Sequence, residues 1–225
     1  MNPERFAAAL PALFDDFPES QQPRGRRFDD VAGAVPNLAT ENTLAVVNLA
    51  ASLLDRGESY VEAGTFMGAS LIAAAPDDDE GADLVAIDNF SFGPTTVKGR
   101  DLPAASRAAL EANLERFGVR AATIMEGDTL DVLRSGALGD RRVGVFYYDA
   151  CHDTEVTLEA LRLVEPWLAE PALVIVDDSD WENVRRAVDD YLAAQPRARM
   201  LVEIEGATSG RPWWWEGMVA LAWAA

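Results

Sequence analysis

Two groups of residues in this chain of 225 have the types and spacing to do chemistry. Asp149 closes the run VGVFYYD, and Asp177 and Asp178 close ALVIVDD. If those runs are neighbouring strands, about 4.8 Å separates their backbones and the three carboxylates can converge. Acids that close repel one another, so a cation or a proton must offset them. An all-oxygen set suits Mg²⁺ rather than Zn²⁺. The only histidine of the chain, His152, lies just beyond Asp149. Its unperturbed pKa is near neutrality, so it is a candidate proton acceptor. Each feature also has a structural reading. Asp177 and Asp178 could cap the next helix, although SDWE supplies a capping box of its own in Ser179 and Glu182. His152 could cap or pack at a helix entry, and Cys151 reads as a small packing residue.

The second group is YVEAGTFMGAS, residues 60–70. An apolar approach ends on Glu62 and then passes Gly64 and Gly68. Gly64 lets the chain turn and lets a ligand approach the backbone; Gly68 allows a helix to pack close to the strand. The spacing E-x-G-x-x-x-G is not the dinucleotide pattern G-x-G-x-x-G, so a bound pyrophosphate is disfavoured. A carboxylate at such a turn repels phosphate and attracts a cation such as an ammonium or sulfonium. Asp88 ends LVAID, where an acid can accept both hydroxyls of a ribose. Glu62 could instead be an exposed strand end, and Asp88 could cap a turn.

Such groups need a frame. Runs of strand character at 59–63, 83–88, 120–125, 143–149 and 172–178 alternate with helical runs at 66–75, 103–118, 128–135 and 154–168. Several strands are continuously apolar, as in sheets covered on both faces. This order predicts an α/β fold with a doubly wound, mostly parallel sheet. After a helix at about 181–194, strands at 198–205 and 213–224 are joined too closely for a crossover, so an antiparallel C-terminal hairpin is predicted. Residues 1–57 read as helices at 3–14 and 40–54 around a loose segment at 18–30, a helical lid on a core of residues 58–225. On a strand, Trp213, Trp214 and Trp215 cannot all face inward.

The totals set further bounds. Acidic residues number 38 against 19 basic, a formal charge of −19. Such a surface disfavours nucleic acid and anionic membranes as partners. One cysteine excludes an internal disulfide, no apolar run is long enough for a membrane span, and the N-terminus lacks a basic signal start. A cytoplasmic location is expected, with a homodimer as the default assembly.

YVEAGTFMGAS, AIDNFSFG, EGD, YYDACHD and ALVIVDD together resemble the successive motifs of class I S-adenosylmethionine (SAM)-dependent methyltransferases. Among these the chain is most similar to small-molecule O-methyltransferases of the macrocin O-methyltransferase type, from about residue 40 onward. The resemblance implies a Rossmann-like sheet with helices on both faces. It implies a cofactor site of Glu62, Gly64, Thr65, Phe66, Gly68, Ser70, Asp88, Asn89, Gly127, Asp128 and Asp149. In it Glu62 would hold the methionine ammonium, Gly64 would pass under the cofactor, Asp88 would clasp the ribose, and Asn89 and Asp128 would border the adenine. Asp128 has a second reading as a helix N-cap. Relatives with this acid pattern hold a divalent ion on the residues matching Asp149, Asp177 and Asp178, where it grips the acceptor hydroxyl. They often read D-G-D where this chain has Asp149-Ala150-Cys151, so the second acid is missing.

The resulting expectation is an O-methyltransferase acting on a hydroxyl of a small molecule, such as a sugar, phenol or natural product, assisted by Mg²⁺. Residues 89–103 and RPWWWEG are expected to shape the acceptor pocket. The alternatives are a metal-independent N- or O-methyltransferase with His152 as base, and a non-catalytic SAM-binding protein. A nicotinamide dehydrogenase is disfavoured by the glycine spacing.

Overall fold

The computed structural model describes residues 1–25, 27–76 and 83–223. Arg26, in the segment expected to be loose, and Ala224, at the end of the predicted last strand, lie outside the described residues. The frame is a seven-stranded sheet. It contains β1 (Glu58–Ala63), β2 (Asp83–Asp88), β5 (Ala122–Glu126), β6 (Arg142–Tyr148), β7 (Leu168–Asp177), β8 (Ala198–Ile204) and β9 (Met218–Trp223). Their spatial order is β5-β2-β1-β6-β7-β9-β8. The first five are parallel, and β9 runs antiparallel to both β7 and β8. The fold is thus the Rossmann-like one expected. Chain direction along the sheet reverses between β1 and β6, which opens a crevice beyond their carboxyl ends.

Alternation along β1 divides the core. Tyr60 faces one side and Val61 and Ala63 the other. The first face is covered by α1 (Pro3–Ala9), α2 (Asp29–Ala34), α3 (Glu41–Ser52), α4 (Ala69–Ala74) and α5 (Arg107–Arg116). Phe6, Leu44, Leu71 and Leu110 from these helices are completely buried there. The opposite face is covered by α6 (Thr129–Arg134), α7 (Thr154–Val164) and α8 (Glu182–Ala194), through residues such as Leu133, Leu161 and Val188. Side-chain caps start several helices: Thr40 for α3, Ser106 for α5, Asp128 for α6 and Asp153 for α7. The expected capping box at Ser179 and Glu182 does not form. Trp181 is the N-cap of α8 and no side chain caps it.

The largest departure from expectation is at 205–217. Met218 begins the last strand, and Pro212–Trp214 form a 3₁₀ turn in place of extended chain. Pro212 starts that turn, and Asp180 accepts hydrogen bonds from the Gly206 and Thr208 amides, folding the loop back on itself. The strand alternation expected of the three tryptophans therefore does not apply. Trp213 and Trp214 both donate their indole N–H to the Pro18 carbonyl, at 3.1 and 2.7 Å. Trp215, at φ +52°, turns the other way. The start of the 18–30 segment is consequently fastened, with Glu19 also paired to Arg211. A short hairpin of β3 (Thr95–Val97) and β4 (Arg100–Leu102) occupies the segment after β2, and sequence periodicity did not reveal it.

Candidate functional site

A cleft of about 330 Å³ opens at the carboxyl ends of β1, β2, β6 and β7. Gly64, Thr65, Phe66 and Ser70 form one wall, Asp88, Asn89, Gly127 and Asp128 another, and Asp149, His152, Asp177 and Asp178 a third. The fourth side comes from Pro36–Ala39, Phe92, Leu102 and Trp215. The strand ends thus bring nearly every expected site residue to one place. Gly68 and Glu62 are the two that do not line it.

Glu62 is fully buried beneath the floor. Its carboxylate accepts hydrogen bonds from the Tyr60 hydroxyl at 2.8 Å and the Ser70 hydroxyl at 2.7 Å. Burial pushes its pKa up to about 7, and the two hydroxyls only partly offset that rise. It is therefore no exposed strand end, and its charge reaches the cleft by way of Ser70. The glycines serve the frame more than sequence reading suggested. A Cβ on Gly64, at φ +88°, would stand 1.8 Å from the Asp149 carbonyl oxygen, so Gly64 lets the end of β6 close against β1. Gly68, the N-cap of α4 at φ +90°, is required by that left-handed backbone, and a Cβ there would meet the tip of the Leu110 side chain on α5 rather than the strand.

Asp88 has each oxygen fixed by a backbone amide, Phe66 N and Phe90 N, both at 2.6 Å. It closes a turn and still borders the cleft. Asn89 accepts from the Ser91 amide at 2.9 Å, and Asp128 caps α6 through the Leu130 and Asp131 amides while lining the cleft. The N-cap reading of Asp128 thus holds, and the same residue borders the cleft.

At the far end, ligand atoms of Asp149, His152 and Asp178 all lie within 4.8 Å of one another. This group differs from the expected three acids. Asp177 turns back into the fold, accepting from the Tyr147 hydroxyl and, at 3.0 Å, from the Asp178 amide. Burial, followed by the neighbouring Asp178, raises the Asp177 pKa to about 7. Asp149 is held well above the usual carboxylate range by burial and by Asp177 and Asp178. His152 Nε2 lies 2.7 Å from Asp178 Oδ2, but off the line a hydrogen bond requires. Nε2 and the buried Asp178 Oδ1 are both left without a hydrogen bond. Close carboxylate oxygens, that of Asp149 pushed upward in pKa by burial, beside a ring nitrogen without a hydrogen bond fit a divalent cation. His152 does not cap α7, since Asp153 does that, and its ring packs on Trp181 at 4.5 Å between centroids. Cys151 is exposed at the cleft rather than packed.

Sequence reading missed Tyr60 and Tyr147. Each precedes a candidate site acid, Glu62 or Asp149, by two positions along a strand and so shares its face, which was the available signal. Backbone strain also marks the place. Phe66, Asp178 and Trp215 are non-glycine residues at left-handed φ, and all three line the cleft.

A family model described as a methyltransferase domain matches residues 61–179, the segment from β1 through the Asp pair. Among solved structures, an O-methyltransferase from Bacillus cereus in complex with SAH superposes with a TM-score of 0.63 at 15% identity, covering 100% of both chains. TomG from Streptomyces achromogenes, an O-methyltransferase involved in tomaymycin synthesis and bound to SAM, gives 0.60 at 18%, also covering 100% of both. CalS11, a TDP-rhamnose 3'-O-methyltransferase of calicheamicin biosynthesis, gives 0.60 at 20%, covering 100% of this chain and 97% of that one. No curated protein sequence matches.

Proposed function

The chain belongs to the methyltransferase-domain family, and on that premise we propose that it transfers a methyl group from SAM to a hydroxyl of a small molecule. The observation that carries this reading is the shared cleft: a wall suited to a cationic nucleoside faces the Asp149–His152–Asp178 group across one opening. SAM supplies an electrophilic methyl on a positively charged sulfur. Around it, Asp88, immobilised by two amides, would accept the ribose hydroxyls, with Asn89 and Asp128 beside the adenine. Glu62, desolvated and short of a cation, would favour a positively charged ligand above Ser70.

Asp149, His152 and Asp178 would hold a divalent ion, with Asp177 braced behind them by Tyr147. The imidazole nitrogen makes the donor set suit Mn²⁺ as well as Mg²⁺. Such an ion stabilises a deprotonated oxygen and so lowers the pKa of a hydroxyl placed against it. The remaining contribution of the chain is positioning: the acceptor oxygen must lie in line with the methyl carbon and the sulfur.

The close approach of His152 to Asp178 favours one second reading, in which no metal takes part. Asp178 then orients the imidazole, and His152 takes the acceptor proton as the oxygen attacks. Calorimetry with S-adenosylhomocysteine, with and without Mg²⁺, followed by transfer of labelled methyl to a panel of hydroxyl compounds, tests both. EDTA abolishes turnover under the first reading and spares it under the second. Absence of any affinity for S-adenosylhomocysteine would overturn both.

A further inference from the structure

Of the 19 basic residues in the chain only one is a lysine, and it stands over a wall of the cleft. Lys98, at φ +47° in the turn between β3 and β4, holds its ammonium 4.4 Å from the centroid of the Trp215 ring. Arg100, the first residue of β4, brings its guanidinium carbon to 5.2 Å from the same centroid. Trp215 in turn lines the cleft. Two cations on one aromatic ring are each drawn to its face but repel one another, an arrangement that favours an anion beside them. We propose that Lys98 and Arg100 form an oxyanion-binding rim on the cleft, and that the acceptor carries a carboxylate or phosphate besides its hydroxyl.

The free donors decide which of the two cations does the binding. Lys98 already has an ion pair with Glu216, which fixes its ammonium and offsets its charge. Arg100 has no carboxylate partner among the described residues. Its Nη1 makes only long contacts, 3.5 and 3.4 Å, with the Asn37 and Ala39 carbonyls. These hold the guanidinium to the Pro36–Ala39 side of the cleft and leave Nε and Nη2 without a protein acceptor among the described residues. The N–H groups of Nε and Nη2 make the fork that matches two oxygens of a carboxylate or phosphate. Asp101, the adjacent acid, is engaged elsewhere: its Oδ1 accepts from the Thr96 hydroxyl at 2.7 Å across the hairpin.

Placement agrees with this role. Arg100 and Leu102 lie two positions apart on β4 and share a face. Leu102 is buried and lines the cleft, so that is the face turned toward it. The net charge of −19 disfavours anions at long range. Charges farther away than the Debye length of about 8 Å are largely screened at physiological salt, whereas a contact pair is not. The rim therefore holds an acid that has reached it and is no long-range attractor.

The word acceptor rests on the methyltransferase reading; the rim itself does not. The full chain is prepared with lysine carrying ¹³C at Cε, which gives one signal because Lys98 is the only lysine. Divalent ions are stripped on a chelating resin, so that none at Asp149 can hold a probe, and S-adenosylhomocysteine is added. The probes are 4-hydroxybenzoate, 4-hydroxyphenyl phosphate and the neutral 4-hydroxybenzamide. The expected result is a saturable shift of the Lys98 signal with one or both acids and none with the amide; which acid shifts it identifies the oxyanion. In Arg100→Gln, an exposed position that leaves the core intact, the Kd of that acid should rise about fivefold. No shift with either acid, an equal shift with the amide, or an unchanged Kd in Arg100→Gln overturns the rim. Calorimetry with S-adenosylhomocysteine on the same samples reports separately on the methyltransferase reading: acid binding without cofactor affinity would leave the rim standing and sink that reading.

Discussion

Replacing Glu62 by Gln should stabilise the ligand-free protein at alkaline pH while weakening cofactor binding. In the folded chain burial moves this carboxyl from 4.5 to about 7. Below the lower value the group is protonated in folded and unfolded chains alike, and it adds no pH dependence. As pH rises, the unfolded chain ionises first. The folded chain holds its proton until about 7, so it binds more protons across the interval and stability falls. Above that the loss is complete, and a shift of this size corresponds to about 3 kcal/mol. Glutamine keeps the shape and can still bond the Tyr60 and Ser70 hydroxyls, but it carries no charge to desolvate. Urea unfolding of both proteins from pH 5 to 8 should show little difference at the acid end and a growing advantage for Glu62→Gln toward pH 8. Asp177 also titrates high in both proteins and cancels in the difference, whereas Asp149, held up in part by the Glu62 charge, is relieved in the variant and adds to the same alkaline trend. In the same samples S-adenosylhomocysteine should bind about 10- to 100-fold more weakly to the variant. A stability difference constant with pH would refute the buried-charge reasoning, whatever happens to binding.

Asp178→Ala should abolish Mn²⁺ binding measured by electron paramagnetic resonance and lower turnover to the level seen with EDTA, while leaving S-adenosylhomocysteine affinity within about twofold. Asp88→Ala removes the acceptor shared by the Phe66 and Phe90 amides; calorimetry should show cofactor affinity falling by about 10-fold or more. Gly64→Ala should cost at least about 3 kcal/mol, read as a lowered unfolding midpoint or loss of soluble protein, because its methyl would overlap the backbone of Asp149.

The parallel sheet could be read from sequence because several of its strands are continuously apolar and each parallel strand ends at or runs directly into an acid or a glycine. Those endings also gave away the cleft, since the carboxyl ends of a parallel sheet all reach one edge. Side-chain direction past the last strand residue was harder to read. Asp177 and Asp178 are adjacent in sequence, yet one turns inward to Tyr147 and the other, at φ +55°, toward His152. No periodicity encodes that divergence. Phe92 and Leu102 fall in the 89–103 segment expected at the pocket, but the 36–39 stretch reaches the cleft from a loop, where local pattern is weakest and tertiary contacts decide. The tryptophan run misled because a proline and a hydrogen-bonded carboxylate, Asp180, outweighed the strand preference of the aromatics.

The last strand of the described chain sits inside the sheet, not at its rim. Because β9 lies between β7 and β8, β8 has no sheet partner among the described residues until Met218–Trp223 arrive. A nascent chain halted at Gly210 would expose the β7 edge and lack Trp215, which closes one side of the cleft. Completion of the cleft is thereby tied to the synthesis of β9, so a chain stopped short of it presents an open sheet border to chaperones and proteases.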